Sequence, residues 1–241
     1  MKYYAIADLH GRYDLLDKAL HKIWSTNTEN MFKIITLGDY IDRGPESNLI
    51  IQRLIRESKE CKNTYVCLQG NHESMAVECI THNLHPDWWV GNGGKETLAS
   101  YGWSWKDSPY SQMAYSVVPK DHFDWMKGLP LFFETEKQVF VHAGIPMWNM
   151  NLPPNNSPKG ERLAKDMQWM RYDYRDSGGW KGKHVVHGHE QYGDGPHQWL
   201  NEKKGGRTAL DTWAYHTGRL VIGVFDDTQK HALEFIEVKD G

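Results

Sequence analysis

Phe32-Lys33-Ile34-Ile35-Thr36-Leu37-Gly38-Asp39-Tyr40-Ile41-Asp42-Arg43-Gly44 decides how this chain is read. Its first half is an apolar run of strand length. Its second half is a polar turn with two carboxylates and a guanidinium, closed at each end by glycine. A buried strand that stops on charged residues sets them at its tip. Pro45 then suits the first turn of a helix, and Leu49, Ile50, Leu54 and Ile55 supply an apolar stripe at helical spacing.

The pattern recurs on both sides. Tyr3 to Ala7 reads as a strand ending on Asp8-Leu9-His10-Gly11, and Leu15, Leu16, Ala19, Leu20 and Ile23 follow at helical spacing. Thr64 to Leu68 reads as a third strand, ending on Gly70-Asn71-His72-Glu73, with Glu73 to Ile80 as a third helix. This βαβαβ order predicts an α/β fold with a largely parallel sheet and right-handed crossovers.

Beyond it the chain changes character. Residues 82–128, rich in tryptophan, read as a helical insertion, with Lys95 to Tyr101 and Phe123 to Met126 as two of its helices. Leu131 to Glu134 and Gln138 to His142 read as a β-hairpin, the latter leading into His142-Ala143-Gly144. Residues 146–160 hold four prolines and four asparagines and read as a long loop. The last third reads as strands at Val185 to His187, Thr208 to Leu210, Leu220 to Phe225 and Ala232 to Val238, the first leading to Gly188-His189-Glu190. No linker divides the chain, so residues 1–241 are expected to form a single domain.

The composition narrows the function. With 28 basic and 31 acidic residues the net charge is -3, which gives no electrostatic footprint for nucleic acid or an anionic membrane. No run approaches the ~18 apolar residues of a membrane span, and the apolar N-terminal run is too short for a signal peptide. Cys61, Cys67 and Cys79 lack zinc-site spacing and read as free thiols in a reducing compartment. Thirteen histidines permit metal or acid–base chemistry.

Each polar motif has a bland reading. If the chain stays extended past the first strand, Asp8 and His10 point the same way and could clamp an ion; a helix-capping Asp explains the pair equally well. Asp39 has two oxygens and could bridge two ions, and Arg43 suits phosphate oxygens, although Asp42 and Arg43 could be a surface turn. Asn71, His72, His142 and His189 mean little singly. Together they form a mixed nitrogen and oxygen donor set, without sulfur, at successive strand ends, which points to Mn²⁺, Fe or Zn²⁺ rather than Ca²⁺. Gly91-Asn92-Gly93-Gly94-Lys95-Glu96 imitates a phosphate loop, but Glu96 stands where Ser or Thr would be needed, so it reads as a helix cap.

These motifs, in this order, resemble the signatures of the phosphoprotein phosphatase family of calcineurin-like metallophosphoesterases, and within it the chain looks closer to the compact phage and bacterial serine/threonine phosphatases than to eukaryotic catalytic subunits. The resemblance implies two mixed β-sheets packed as a sandwich between helices. It implies two divalent ions, most simply Mn²⁺, with Asp8, His10 and Asp39 at the first and Asp39, Asn71, His142 and His189 at the second. His72 would be the general acid, Asp42 its orienting partner, and Arg43, Asn71 and Arg171 (in Trp169-Met170-Arg171) the phosphate-binding groups. Asp211-Thr212 resembles a further family element. Glu190 stands where the family often has Thr, and Trp213 where Gly is common.

The expected function is therefore phosphomonoester hydrolysis by a water activated between two metals, on phosphoserine or phosphothreonine in proteins, with phosphotyrosine as a further candidate. A bis(5'-nucleosyl)-tetraphosphatase is the alternative, and an inert phosphate-binding module the non-enzymatic one. The resemblance further implies a cytoplasmic monomer whose partners are phosphorylated proteins or small phosphoesters, with no nucleic acid or membrane partner.

Overall fold

A computed structural model of the chain describes residues 1–27, 31–82, 86–104, 116–146, 158–172, 176 and 178–241. β1 (Lys2–Ile6), β2 (Phe32–Thr36) and β3 (Tyr65–Cys67) run parallel, joined by α1 (Tyr13–Thr26) and α2 (Ser47–Glu60). β9 (Arg219–Asp226) and β10 (Glu234–Lys239) extend this sheet antiparallel, giving the order β10-β9-β1-β2-β3. A second five-stranded sheet has the order β4-β5-β6-β8-β7. Here β5 (Gln138–Val141), β6 (His184–His187) and β8 (Arg207–Ala209) are parallel, with β4 (Phe132–Glu134) and β7 (His197–Trp199) as antiparallel edges.

The period-2 alternation of β1 builds two cores from one strand. Tyr3, Ala5 and Ala7 join Phe140, Val186, Leu210 and Phe225 between the sheets. Tyr4 and Ile6 face the other way, onto Leu15, Leu16, Leu20 and Ile23 of α1 and Ile50 and Leu54 of α2. Each of these wholly buried aliphatic side chains contributes roughly 1.5–3 kcal/mol of transfer free energy. A third cluster seats α7 (Pro158–Trp169), through Leu163 and Met167, on Val139, Val141 and Val185 of the second sheet. The layers are therefore helix, sheet, sheet, helix, as the resemblance implies.

α3 (Asn71–His82), α4 (Pro86–Trp89), a π-helical turn at Val90–Gly94, α5 (Lys95–Ser100), α6 (Lys120–Gly128) and α8 (Ala214–Thr217) complete the secondary structure among the described residues. Two elements differ from the sequence expectation. Pro158 to Gly160 open α7 rather than closing a loop; the four-proline composition masked the Leu163/Met167 stripe that follows. β7, with its sequence His-Gln-Trp, carries no apolar alternation and forms because β8 offers it an edge. Residues 147–157 of the expected loop and 105–115 of the expected insertion lie outside the described residues. Among the described residues no helix is long and apolar enough to cross a membrane.

Candidate active site

The polar motifs converge where β1, β2, β3, β5 and β6 end. Backbone conformation marks the place. Among the described residues nine non-glycines have positive φ, and six belong to the motifs: Asp8 (46°), His10 (42°), Asp39 (55°), Asp42 (73°), Arg43 (68°) and His189 (62°). Left-handed backbone in such residues costs free energy and persists where surrounding bonds over-determine it. The chain thus curls after β1 rather than staying extended, and the reading of Asp8 and His10 as two side chains of one extended segment fails. The turns interlock instead: His10 N–H donates to Asp39 O (2.9 Å), Gly11 N–H to Tyr40 O (2.9 Å), and a Cβ on Gly11 would lie 2.4 Å from Gly44 O.

Asp39 sits at the centre. Its Oδ2 is 3.5 Å from His10 Nε2 and 3.8 Å from His72 Nε2, and its Oδ1 is 3.4 Å from His142 Nε2. Two groups capable of holding an ion result, His10–Asp39–His72 and Asp39–His142–His189, sharing Asp39. Asn71 Oδ1 adds a donor to the second, at 2.7 Å from His142 Nε2 and 3.1 Å from His189 Nδ1. Asp8 belongs to neither group; its carboxylate accepts the His189 N–H at 3.0 and 3.1 Å.

The donor chemistry fits cations. His10 Nδ1 donates to Ile41 O and His142 Nδ1 to Leu37 O, each at 2.8 Å, so the Nε2 lone pairs of both rings face the centre. At His142, that lone pair meets Asn71 Oδ1 and Asp39 Oδ1, three acceptors with no proton among them. Burial lowers the pKa of His142 and of His10, and takes His189 down to about 3, which keeps the imidazoles neutral. Burial raises Asp8, reinforced by Asp211 and Asp39. Asp39 is raised by burial and lowered more strongly by the four imidazoles around it. Asp211, pushed up to about 7 chiefly by burial, leaves its Oδ2 buried without a hydrogen-bond partner. Buried carboxylates gathered this closely need positive charge.

His72 and Asp42 form the second component. His72 Nδ1 donates to Asp42 Oδ2 at 2.6 Å. Trp89 Nε1 (3.1 and 3.2 Å) and Thr97 Oγ1 (2.6 Å) donate to the same carboxylate. Burial pushes His72 down, but Asp39 and the bond to Asp42 outweigh it and its pKa is raised. Burial raises Asp42 while His72 and Thr97 pull against it. Arg43 lays its fork across the imidazoles, Nη1 at 3.0 Å from His10 Nε2 and Nη2 at 3.2 Å from His72 Nε2, with its guanidinium 4.9 Å over the Tyr215 ring. Gly91 to Gly94 do more than open α5: Gly93 O accepts the Arg43 N–H at 3.3 Å. Arg171 is exposed at the end of α7, close enough for its charge to lower the pKa of His189.

A calcineurin-like phosphoesterase model matches residues 1–221. The chain belongs to the calcineurin-like phosphoesterase family. Serine/threonine-protein phosphatase 2 of Escherichia coli is 34% identical over 91 residues, covering 38% of each chain. The symmetrical bis(5'-nucleosyl)-tetraphosphatase of Nitrosococcus oceani is 24% identical over 210 residues, covering 85% of this chain and 61% of its own. The chain thus spans between two and three fifths of the length of these two curated relatives. Among solved structures, a putative diadenosine tetraphosphatase superposes over 100% of this chain and 94% of its own (TM-score 0.62, 18% identity). A Saccharomyces cerevisiae protein serine/threonine phosphatase with similarity to human PP5 covers 100% of this chain and 81% of its own (TM-score 0.65, 15% identity). These last two likenesses concern the fold.

Membership of the calcineurin-like phosphoesterases implies divalent ions, and the two groups that share Asp39 are the candidate places for them. Sequence reasoning missed some residues around this candidate site. Glu73, read only as a residue favoured by the helix dipole, is wholly buried and accepts from the backbone N–H groups of Asp39, Tyr40 and Gly70. Trp89 and Thr97 hold Asp42, and Tyr215 stands 5.4 Å from His10. No periodicity marks these four; they are visible only once the turns are folded together.

Proposed function

We propose that this protein is a metal-dependent phosphomonoesterase acting on phosphoserine and phosphothreonine in proteins. The observation that carries this reading is the 2.6 Å His72–Asp42 pair beside the Asp39 centre. An alkoxide leaving from serine or threonine is a strong base and needs a proton as the P–O bond breaks; a nucleotide phosphate leaving from an anhydride needs far less. A histidine whose pKa is raised by a buried carboxylate is suited to the first task.

His10, Asp39, Asn71, His142 and His189, with Asp8 beside them, would hold two ions, most simply Mn²⁺. Bound there, the ions would supply charge neutralisation and a more acidic water. Asp39 is the shared carboxylate. Arg43 leaves the imidazoles to meet the equatorial phosphate oxygens, and Arg171 and the Asn71 amide meet them from the other side. His72 delivers its Nε2 proton to the leaving oxygen, while Asp42 fixes the ring through Nδ1.

A second reading, symmetrical dinucleoside tetraphosphate hydrolysis, is favoured by one feature. Trp88, 45% exposed, stacks on Trp169 (ring centroids 5.4 Å apart, 20° between planes), and the Trp169 ring is 6.2 Å from that of His189. This aromatic face borders a cavity of about 720 Å³ that also meets Ser74, two residues past His72. A nucleobase could stack there.

The test compares p-nitrophenyl phosphate, a phosphoserine peptide and diadenosine tetraphosphate with the Mn²⁺-loaded enzyme. The proposal expects the phosphopeptide to have the higher kcat/KM of the two physiological substrates. A strong preference for the dinucleotide overturns it in favour of the second reading, and turnover of none of the three leaves only a binding module.

A further inference from the structure

Arg207, the first residue of β8, is fully buried, yet the phosphoesterase chemistry above gives it no task. Its Nη1 donates to Glu190 Oε2 at 3.0 Å and to His187 Nε2 at 3.1 Å, and its Nε donates to Asp176 O at 3.0 Å. The guanidinium lies between aromatic faces, 3.5 Å from the Trp199 ring centroid and 4.5 Å from that of Tyr172. Glu190, the residue after His189, spends its other oxygen on the Tyr172 N–H, at 2.6 Å. That N–H belongs to the peptide joining Arg171 to Tyr172.

We propose that the buried Arg207–Glu190 pair is a positioning device for Arg171. It rests on the reading of Arg171 as a phosphate-binding group. The peptide on the C-terminal side of Arg171 is pinned by a carboxylate, and that carboxylate is pinned by a cation that cannot move. Tyr172 adds a second hold: its hydroxyl accepts the Ile145 N–H at 3.2 Å, and its ring closes over Gly144, where a Cβ would lie 2.7 Å from it. Arg171, the His142 loop and the His189 loop are thereby tied to one another.

Charge and cost favour this role over simple packing. Burying an ion pair adds little net stability and often less than apolar side chains of equal volume would. What it adds is geometry, because only an acceptor with two oxygens can face Arg207 and the Tyr172 amide together. A single side-chain hydroxyl at this position would not span both partners. Arg171 is itself exposed, at a helix end, so without the pin its long side chain would sample many positions before meeting phosphate.

The test is a double-mutant cycle on the Mn²⁺-loaded enzyme, reading kcat, KM and the inhibition constant of inorganic phosphate. Arg171→Ala is expected to weaken phosphate inhibition and raise KM about 10-fold, the size of a lost charge-assisted hydrogen bond. Glu190→Gln should give a similar loss while the Mn²⁺ dependence of the melting temperature stays as in the parent. In the double variant the loss should be no greater than in Arg171→Ala, because both act through one group. Should Glu190→Gln fold poorly, Glu190→Gln with Arg207→Met removes both charges at similar volume and is expected to keep the fold and the raised KM. Losses that multiply in the double variant, or a normal KM in the neutral pair, overturn the positioning role. A silent Arg171→Ala instead overturns the phosphate-binding reading of Arg171, and the positioning role falls with it.

Discussion

Glu73 Oε2 accepts the backbone N–H of Asp39 at 2.9 Å, so the carboxylate at the centre of the site is held in its left-handed turn by the first turn of α3. The same side chain takes the N–H of Tyr40 (2.8 Å) and of Gly70 (2.9 Å). Burial, then Asp39, raise its pKa to about 8, against the pull of the Tyr40 and Asp39 amides. With the Ile41 N–H at 3.4 Å, four backbone donors surround the two oxygens and leave no room for an amide group. Glu73→Gln should therefore destabilise by about 2–3 kcal/mol, the penalty of leaving a buried donor unpaired. For a chain of this size that lowers the melting temperature by at least about 5 °C. Calorimetry checks this, and an unchanged midpoint would remove Glu73 from the support of Asp39.

The His72–Asp42 pair sets the alkaline limb of the rate. A general acid works only while protonated, and the raised pKa of His72 keeps its proton at higher pH than an ordinary imidazole. The rate on alkyl phosphates should fall as pH rises through that value. Asp42→Asn removes the charge that pulls the pKa up and moves the limb to lower pH, with kcat reduced on the order of 10²-fold. p-Nitrophenyl phosphate, whose leaving group needs little protonation, should lose much less. Equal losses on the two substrates would count against His72 as the acid.

How far the sequence discloses this site can be judged residue by residue. Asp39, Asn71, His72, His142 and His189 are legible because each stops a short apolar run, and strand tips on one side of a sandwich must meet. Glu73, Trp89 and Thr97 are not, because their roles depend on which turn they face: Glu73 on Asp39, Trp89 and Thr97 on Asp42. Asp8 is legible as a buried acid at the site, yet its carboxylate meets the His189 N–H, a contact that 181 residues of separation conceal. The parallel core strands are legible from apolar runs, whereas β7 forms only because a neighbour exists.

Asp39 joins both donor groups, so its charge should control ion binding as well as rate. Adding Mn²⁺ to chelator-treated enzyme should raise the melting temperature with the logarithm of ion concentration once that exceeds the dissociation constant. Asp39→Asn should abolish most of that rise and reduce turnover at least about 10³-fold. Differential scanning fluorimetry across a Mn²⁺ series provides the check. A full Mn²⁺ response in the variant would show the ions to be held elsewhere.

The Trp88–Trp169 stack allows the two substrate readings to be separated by one substitution. Trp88→Ala removes the exposed partner and leaves His72, Arg43 and the Asp39 centre untouched. A nucleobase stacked there would lose about 1–3 kcal/mol, raising KM for diadenosine tetraphosphate at least about 5-fold. Under the phosphoprotein reading, a phosphoserine peptide shorter than the cavity should be hydrolysed as before. Parallel changes on both substrates would mean that the stack supports the fold of α4 and α7 alone.

Acid should unfold the protein through histidines that the chemistry does not use. His184 donates through Nδ1 to Gly205 O (2.8 Å), and its Nε2 accepts from Thr208 Oγ1 (2.7 Å), so the neutral ring is fully paired and wholly buried. Burial, only partly offset by Gly205, lowers its pKa to about 4; His187, beside Arg207, falls to about 3 for the same first reason. In the unfolded chain both return to about 6.5. Above 6.5 neither state is protonated and stability is complete. As pH falls below 6.5 the unfolded state gains protons that the native state refuses, and stability declines by about 1.4 kcal/mol per unit and per histidine until the native pKa is reached. His184→Gln deletes one such group. Between pH 7 and 4.5, in chelator, the variant should lose about 2–3 kcal/mol less than the parent in urea titrations. Parallel pH slopes in the two proteins would mean that His184 is already able to accept a proton inside the fold.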